Sequence, residues 1–132
     1  MPIAKKPRFK LMPTIYIADD DPLLIDLLRF RLERKSYTVQ SSTDGEEALT
    51  QMLASPPDLI VLDYQMPVRN AHEIVEILKQ QPSCRDIPIL VLASQWREED
   101  VIDALQQGIT DYVIKPFSPD ELLFRIERAL RP

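Results

Sequence analysis

Five short apolar runs, most of them closed by a charged or turn-forming residue, alternate along this 132-residue chain with five stretches of helical periodicity. That alternation is the strongest constraint on the fold, because strands separated by helices pair in parallel through right-handed crossovers and bury both faces of one sheet. The runs are Thr14 to Ala18, Tyr37 to Ser41, Leu59 to Leu62, Ile87 to Ala93 and Tyr112 to Ile114. After the first, Pro22 suits the opening turn of a helix, and Leu23, Leu24, Leu27, Leu28, Arg31 and Leu32 mark one buried face running to about Lys35. Asp44-Gly45 is a turn leading into a short helix from Glu46 to Leu53. Ile74, Val75, Ile77 and Leu78 give a third helix that fades before Pro82. A fourth, Arg97 to Gln107, carries Val101, Ile102 and Leu105 on one side and ends at Gly108 as its C-cap. Ser118 and Glu121 form a capping box for the last helix, whose core positions are Leu122, Leu123, Ile126, Ala129 and Leu130. The chain therefore reads as an α/β protein with an open, doubly wound, five-stranded parallel sheet and five helices.

The third run carries the chemistry. Leu59-Ile60-Val61-Leu62 has the composition of a strand buried on both faces, and it runs straight into Asp63. Pro67 then forces the chain away from the sheet and leaves that carboxylate beside a loop. The C-terminal ends of parallel strands form the reactive edge of such a sheet. A turn-capping aspartate explains Asp63 taken alone. The other strand ends add Asp19, Asp20 and Asp21 after the first strand and Lys115 after the fifth, and caps or accidents do not explain all three ends at one edge. Carboxylates crowded together bind a cation or take up protons. Oxygen ligands with open positions suit Mg²⁺, and a lysine beside them neutralises an incoming phosphoryl group while Asp63 attacks it in line.

Composition narrows the class. Hydrophobic residues make up 45% and charged residues 28%, a globular balance suited to one domain, and no apolar run approaches the length of a membrane span. No secretory signal is read at the N-terminus, so a cytoplasmic location is expected. The single Cys84 excludes an internal disulfide framework and a zinc cluster, and is expected to be a small loop residue. Four of the 16 basic residues, Lys5, Lys6, Arg8 and Lys10, lie in the first ten positions, which hold no acid, so the remaining 12 face all 21 acids. Residues 1–13 are expected to be a flexible basic extension, and the acidic body after it is a poor direct binder of nucleic acid. His72 has no ligand partner and reads as a solvated side chain at a helix start.

Four stretches taken together resemble the receiver domain of two-component response regulators. They are Ala18-Asp19-Asp20-Asp21-Pro22, Leu62-Asp63-Tyr64-Gln65-Met66-Pro67, Asp111-Tyr112-Val113-Ile114-Lys115-Pro116-Phe117 and Glu121-Leu122-Leu123-Phe124-Arg125-Ile126. The resemblance covers roughly residues 14–130. It implies a flavodoxin-like fold with strand order 2-1-3-4-5, and a signalling module rather than a turnover enzyme. It further implies that Asp63 accepts a phosphoryl group from a sensor histidine kinase or phosphotransfer protein. Mg²⁺ would be held by Asp20, Asp63 and the backbone carbonyl of Gln65, Asp19 would assist through water, and Lys115 would contact the phosphoryl oxygens. Tyr112 matches an aromatic that rotates inward on activation, and Asp111 and Arg125 match positions that pair across homodimers built from the fourth helix, fifth strand and fifth helix. Trp96, at the start of the fourth helix, is expected to be an exposed anchor for a partner.

Two positions depart from the family pattern. Where the family places Thr or Ser at the end of the fourth strand, about twenty-two residues before Lys115, this chain has Ala93, which has no hydroxyl. Ser94 is the neighbouring donor, although adjacent strand residues point to opposite faces. At the end of Met66-Pro67-Val68-Arg69-Asn70-Ala71 the family usually shows Asp-Gly, and Asn70 is expected to supply the left-handed turn. Ala93 also motivates a second reading, a receiver-like scaffold that binds partners without phosphorylation. A third is a Mg²⁺-dependent phosphohydrolase, since Asp19-x-Asp21 resembles the haloacid-dehalogenase pair, but Leu23 stands where that family has Thr or Val. An FMN site is set aside because the first loop is acidic. With the sequence ending two residues after Leu130, no output domain is expected within it.

Overall fold

The computed structural model describes residues 12–131, so nearly all of the expected extension over residues 1–13 lies outside the described residues. Five parallel strands, β1 (Thr14–Ala18), β2 (Thr38–Ser42), β3 (Leu59–Asp63), β4 (Ile89–Ala93) and β5 (Asp111–Ile114), form one sheet in the order β2-β1-β3-β4-β5. Helices α1 (Pro22–Glu33), α2 (Gly45–Ala54), α3 (Ala71–Lys79), α4 (Glu98–Gln107) and α5 (Pro119–Leu130) connect and follow them. The flavodoxin-like order read from the sequence is the order found.

Alternation along the strands divides the core into two layers. Ile15, Ile17, Leu59, Val61, Leu90, Leu92 and Val113 point to one face, where α1 and α5 supply Ile25, Leu28, Leu32, Leu122, Leu123 and Ile126. Tyr16, Ala18, Ile60, Leu62, Val91, Ala93 and Tyr112 point to the other, against α2, α3 and α4. β3 and β4 are buried throughout, as expected of the central strands of a doubly covered sheet. Each fully buried Leu or Ile contributes about 1.5–3 kcal/mol of transfer free energy, so these two layers dominate the stability of the fold.

The helix starts are set by local chemistry. Asp21 caps α1, its Oδ1 accepting from the amides of Leu23 and Leu24 at 3.0 and 3.4 Å. That use of Asp21 argues against the phosphohydrolase pairing with Asp19. Gly108, at φ 97°, closes α4 as expected.

Several expectations are corrected. On α1 the buried residues are Ile25, Leu28 and Leu32, while Leu23 and Leu27 are 78% and 45% exposed. Apolar residues surround this helix, so leucine spacing alone cannot select the face, and the contact with β2 and α5 does. On α4, Val101 and Ala104 are buried whereas Ile102 and Leu105 face outward. The capping box lies on α3, where Asn70 and Glu73 exchange side-chain and backbone bonds. On α5 Ser118 accepts from the Glu121 amide, but the Glu121 carboxylate takes a bond from Arg125 instead. Asn70 is therefore extended, at φ −83°, and the left-handed residue of the β3–α3 loop is Val68 at φ 72°. Cys84 is in a turn, as expected, but fully buried in the core.

Candidate functional site

The sheet edge gathers its acids because β1 and β3 are adjacent and end in register, Ala18 pairing with Leu62. Asp19 and Asp63 thus leave neighbouring strands at the same height, and Asp20 follows at the surface. One carboxylate oxygen from each of Asp19, Asp20 and Asp63 lies within 4.8 Å of the others, with Asp19 and Asp63 buried and Asp20 exposed. Lys115 reaches across from the end of β5. Its Nζ donates to Asp19 Oδ2 at 2.9 Å and stands 3.6 Å from Asp63 Oδ1. Asp19 Oδ1 accepts from the Asp21 amide at 2.9 Å, so both oxygens of this buried carboxylate are engaged.

Electrostatics follow from that packing. Burial, then repulsion from Asp19, push Asp63 up to about 6; Lys115 and the Gln65 amide act in the opposite direction. Burial opposes the charge on Lys115, but its bond to Asp19 and the field of Asp63 outweigh it and hold the ammonium above its ordinary range. The donor set is all oxygen, anionic and open on one side, which fits a hard divalent cation such as Mg²⁺. Asp20, Asp63 and Gln65 all line the same cavity of about 350 Å³, whose wall also includes Ser94, Tyr112 and Lys115.

The remaining expected residues fall in different places. β4 ends at Ala93, whose methyl is 2% exposed and packs in the core, while Ser94 lies beyond the strand and is exposed. Strand alternation therefore does not turn Ser94 away, and both residues line the cavity. Tyr112 is buried, edge-on to Tyr64 at 6.3 Å and to Trp96 at 6.1 Å. Trp96 is 62% exposed, in the loop before α4 rather than on the helix. Asp111 and Arg125 pair within the chain, Nη1 lying 2.8 Å from both carboxylate oxygens, so pairing across a dimer requires an exchange of partners. His72 is exposed and 3.7 Å from Glu76, as its solvated reading expects.

Sequence reasoning missed Gln95, Arg97 and Asp100 in the cavity wall. Their signal was faint: a helix that begins shortly after a strand end lays its first residues over the sheet edge, and an Arg stands where a capping residue is preferred.

Comparison with known proteins agrees with this geometry. The family model for the response regulator receiver domain matches residues 15–127. The chain is 40% identical over 117 residues to the alkaline phosphatase synthesis transcriptional regulatory protein PhoP of Bacillus subtilis, covering 89% of this chain and 48% of that protein. It is 40% identical over 119 residues to the response regulator SaeR of Staphylococcus aureus, covering 90% and 51%. The chain thus spans about half the length of the curated relatives it matches. Among solved structures, the chemotaxis protein CheY4 of Vibrio cholerae superposes with a TM-score of 0.83 at 29% identity, over 89% of this chain and 98% of that one. The receiver domain of sensor histidine kinase PA1611 from Pseudomonas aeruginosa superposes with a TM-score of 0.81 at 26% identity, over 90% and 98%, and contains a magnesium ion coordinated in its active site cleft.

Proposed function

The chain belongs to the response regulator receiver domain family, and from that premise we propose that it is a phosphoryl-accepting switch whose acceptor is Asp63. Receiver domains are signalling modules rather than turnover enzymes, and histidine kinases phosphorylate those of response regulators. The observation that carries the reading is Asp63 buried at the base of an acidic cavity with the Lys115 ammonium 3.6 Å away.

In this reading an Asp63 oxygen attacks the phosphorus of a partner's phosphohistidine, the P–N bond breaks, and the imidazole leaves with the electron pair. Asp63 must be ionised to attack. Lys115, anchored by Asp19, stays charged and is held where the transferred oxygens arrive. Asp20, Asp63 and the Gln65 carbonyl would hold Mg²⁺, with Asp19 behind them. When bound, the ion supplies further neutralisation of the phosphoryl oxygens. The partner is a sensor histidine kinase or phosphotransfer protein in a cytoplasmic setting. Ile102, Leu105 and Phe124, exposed on α4 and α5, support a homodimer through α4, β5 and α5. Direct nucleic-acid binding is not part of this reading, given the acidic body.

Acetyl phosphate with Mg²⁺ should label the wild-type protein and leave Asp63→Asn unlabelled; equal labelling of the variant rules the assignment out. A second reading, a scaffold that binds partners without phosphorylation, is favoured by Ala93, whose methyl offers no hydroxyl to a phosphoryl group. It requires the same partner affinity in wild type and Asp63→Asn.

A further inference from the structure

The family's hydroxyl at the end of β4 is replaced here by the Ala93 methyl, yet the wall of the cavity beside it carries a second cationic residue besides Lys115. Arg97 lines the same cavity as Asp63 and Lys115, is exposed, and makes no ion pair or side-chain hydrogen bond among the described residues. It occupies the N-cap position of α4, at φ −124° and ψ 125°, where Ser, Thr, Asp or Asn would satisfy a free helix amide and its own side chain does not. Its backbone carbonyl accepts from Val101 at 3.0 Å, so the residue is built into the first turn of the helix. The helix start thus forgoes a side-chain cap and places an arginine in the wall of the phosphoryl cavity. A local rule broken without local compensation marks a functional position.

Resting on the Asp63 phosphoryl-acceptor reading, we propose that Arg97 binds the phosphoryl oxygens on Asp63 and so takes the place of the missing hydroxyl at position 93. A guanidinium donates two parallel bonds to phosphoryl oxygens and reaches further than a hydroxyl. Because Arg97 is the N-cap of α4, drawing its side chain toward Asp63 draws the start of that helix and the preceding Trp96 with it. Trp96 packs edge-on against Tyr112 at 6.1 Å, so the aromatic pair follows the same movement. Lys115 is tied to Asp19 at 2.9 Å, whereas no such tie holds Arg97 among the described residues, so Lys115 is the fixed contact and Arg97 the mobile one.

Beryllium trifluoride with Mg²⁺ is the probe, read by the fluorescence of Trp96, the single tryptophan of the chain, and by calorimetric affinity. Arg97→Gln should weaken binding about tenfold, the loss expected for a charge-assisted bond, and abolish the Trp96 response; Arg97→Lys should restore part of both. Ser94→Ala should bind as wild type does. Unchanged affinity and response in Arg97→Gln overturn the proposal, as does their loss in Ser94→Ala alone, which would make the Ser94 hydroxyl the donor. Mg²⁺ affinity measured on each variant reports an intact site. Wild type that binds Mg²⁺ but not beryllium trifluoride overturns the acceptor reading itself, a result distinct from failure of Arg97 alone.

Discussion

The Lys115 ammonium donates to Asp19 at 2.9 Å and lies farther, at 3.6 Å, from Asp63. Asp19 has no solvent exposure, and the Lys115 ammonium is the cation paired with its buried carboxylate. Lys115→Met leaves it buried with one bond lost and should destabilise the fold by on the order of 1–3 kcal/mol. The same change removes a competing cation, so Mg²⁺ affinity should rise while phosphoryl labelling falls. Urea denaturation and a Mg²⁺ titration of this variant check both directions; a drop in Mg²⁺ affinity contradicts the electrostatic account.

Asp63 holds its proton up to about pH 6 in the metal-free folded protein, against 3.8 for an ordinary aspartate. Between those values the folded state binds more protons than the unfolded state, so stability falls as pH rises through the window. Above it, ionised Asp63 costs on the order of 1–3 kcal/mol. Metal-free Asp63→Asn should therefore be more stable than wild type at neutral pH and show a flatter pH dependence. Unfolding midpoints at either end of the window test this, and parallel curves for the two proteins contradict it.

Val68 adopts φ 72° while 76% exposed, a conformation that crowds a β-branched side chain and gains no packing in return. Val68→Gly relieves the strain and adds flexibility to the unfolded chain, for a net gain of about 1 kcal/mol. A lower urea midpoint for the glycine variant would show that the loop conformation is held by something else.

Gly45 illustrates the opposite case. A Cβ on this residue would fall 2.1 Å from the Arg69 carbonyl oxygen, and its amide already donates to Pro67 at 3.0 Å. Gly45→Ala should displace the β3–α3 loop and lower stability by about 1–3 kcal/mol, as overpacking against backbone does. Amide shifts reaching Gln65 would accompany it; an unperturbed loop contradicts the contact.

Much of this arrangement was legible in the sequence because strand ends are. Asp63, Asp19 and Lys115 each terminate an apolar run, and in a parallel sheet those termini share an edge whatever the loops do. Ala93 was legible through the resemblance to the receiver family, by that family's usual spacing from Lys115. What escaped depends on paths that periodicity does not encode. The inward faces of α1 and α4 are chosen by the neighbours they pack on, since Leu23, Leu27, Ile102 and Leu105 are apolar and still exposed. The left-handed residue fell on Val68 because Asn70 was committed to capping α3. Arg97 reached the cavity only because the loop after β4 sets the start of α4 over the sheet edge.

The central claim is that Asp63 itself becomes an acyl phosphate. Incubating the protein with acetyl phosphate and Mg²⁺, reducing with borohydride and sequencing the peptides by mass spectrometry tests it directly, because reduction converts an aspartyl phosphate to homoserine. The account predicts homoserine at position 63 alone, lost when Mg²⁺ is chelated. Homoserine at position 19 or 20, or at no position while the protein is folded and holds Mg²⁺, would contradict it.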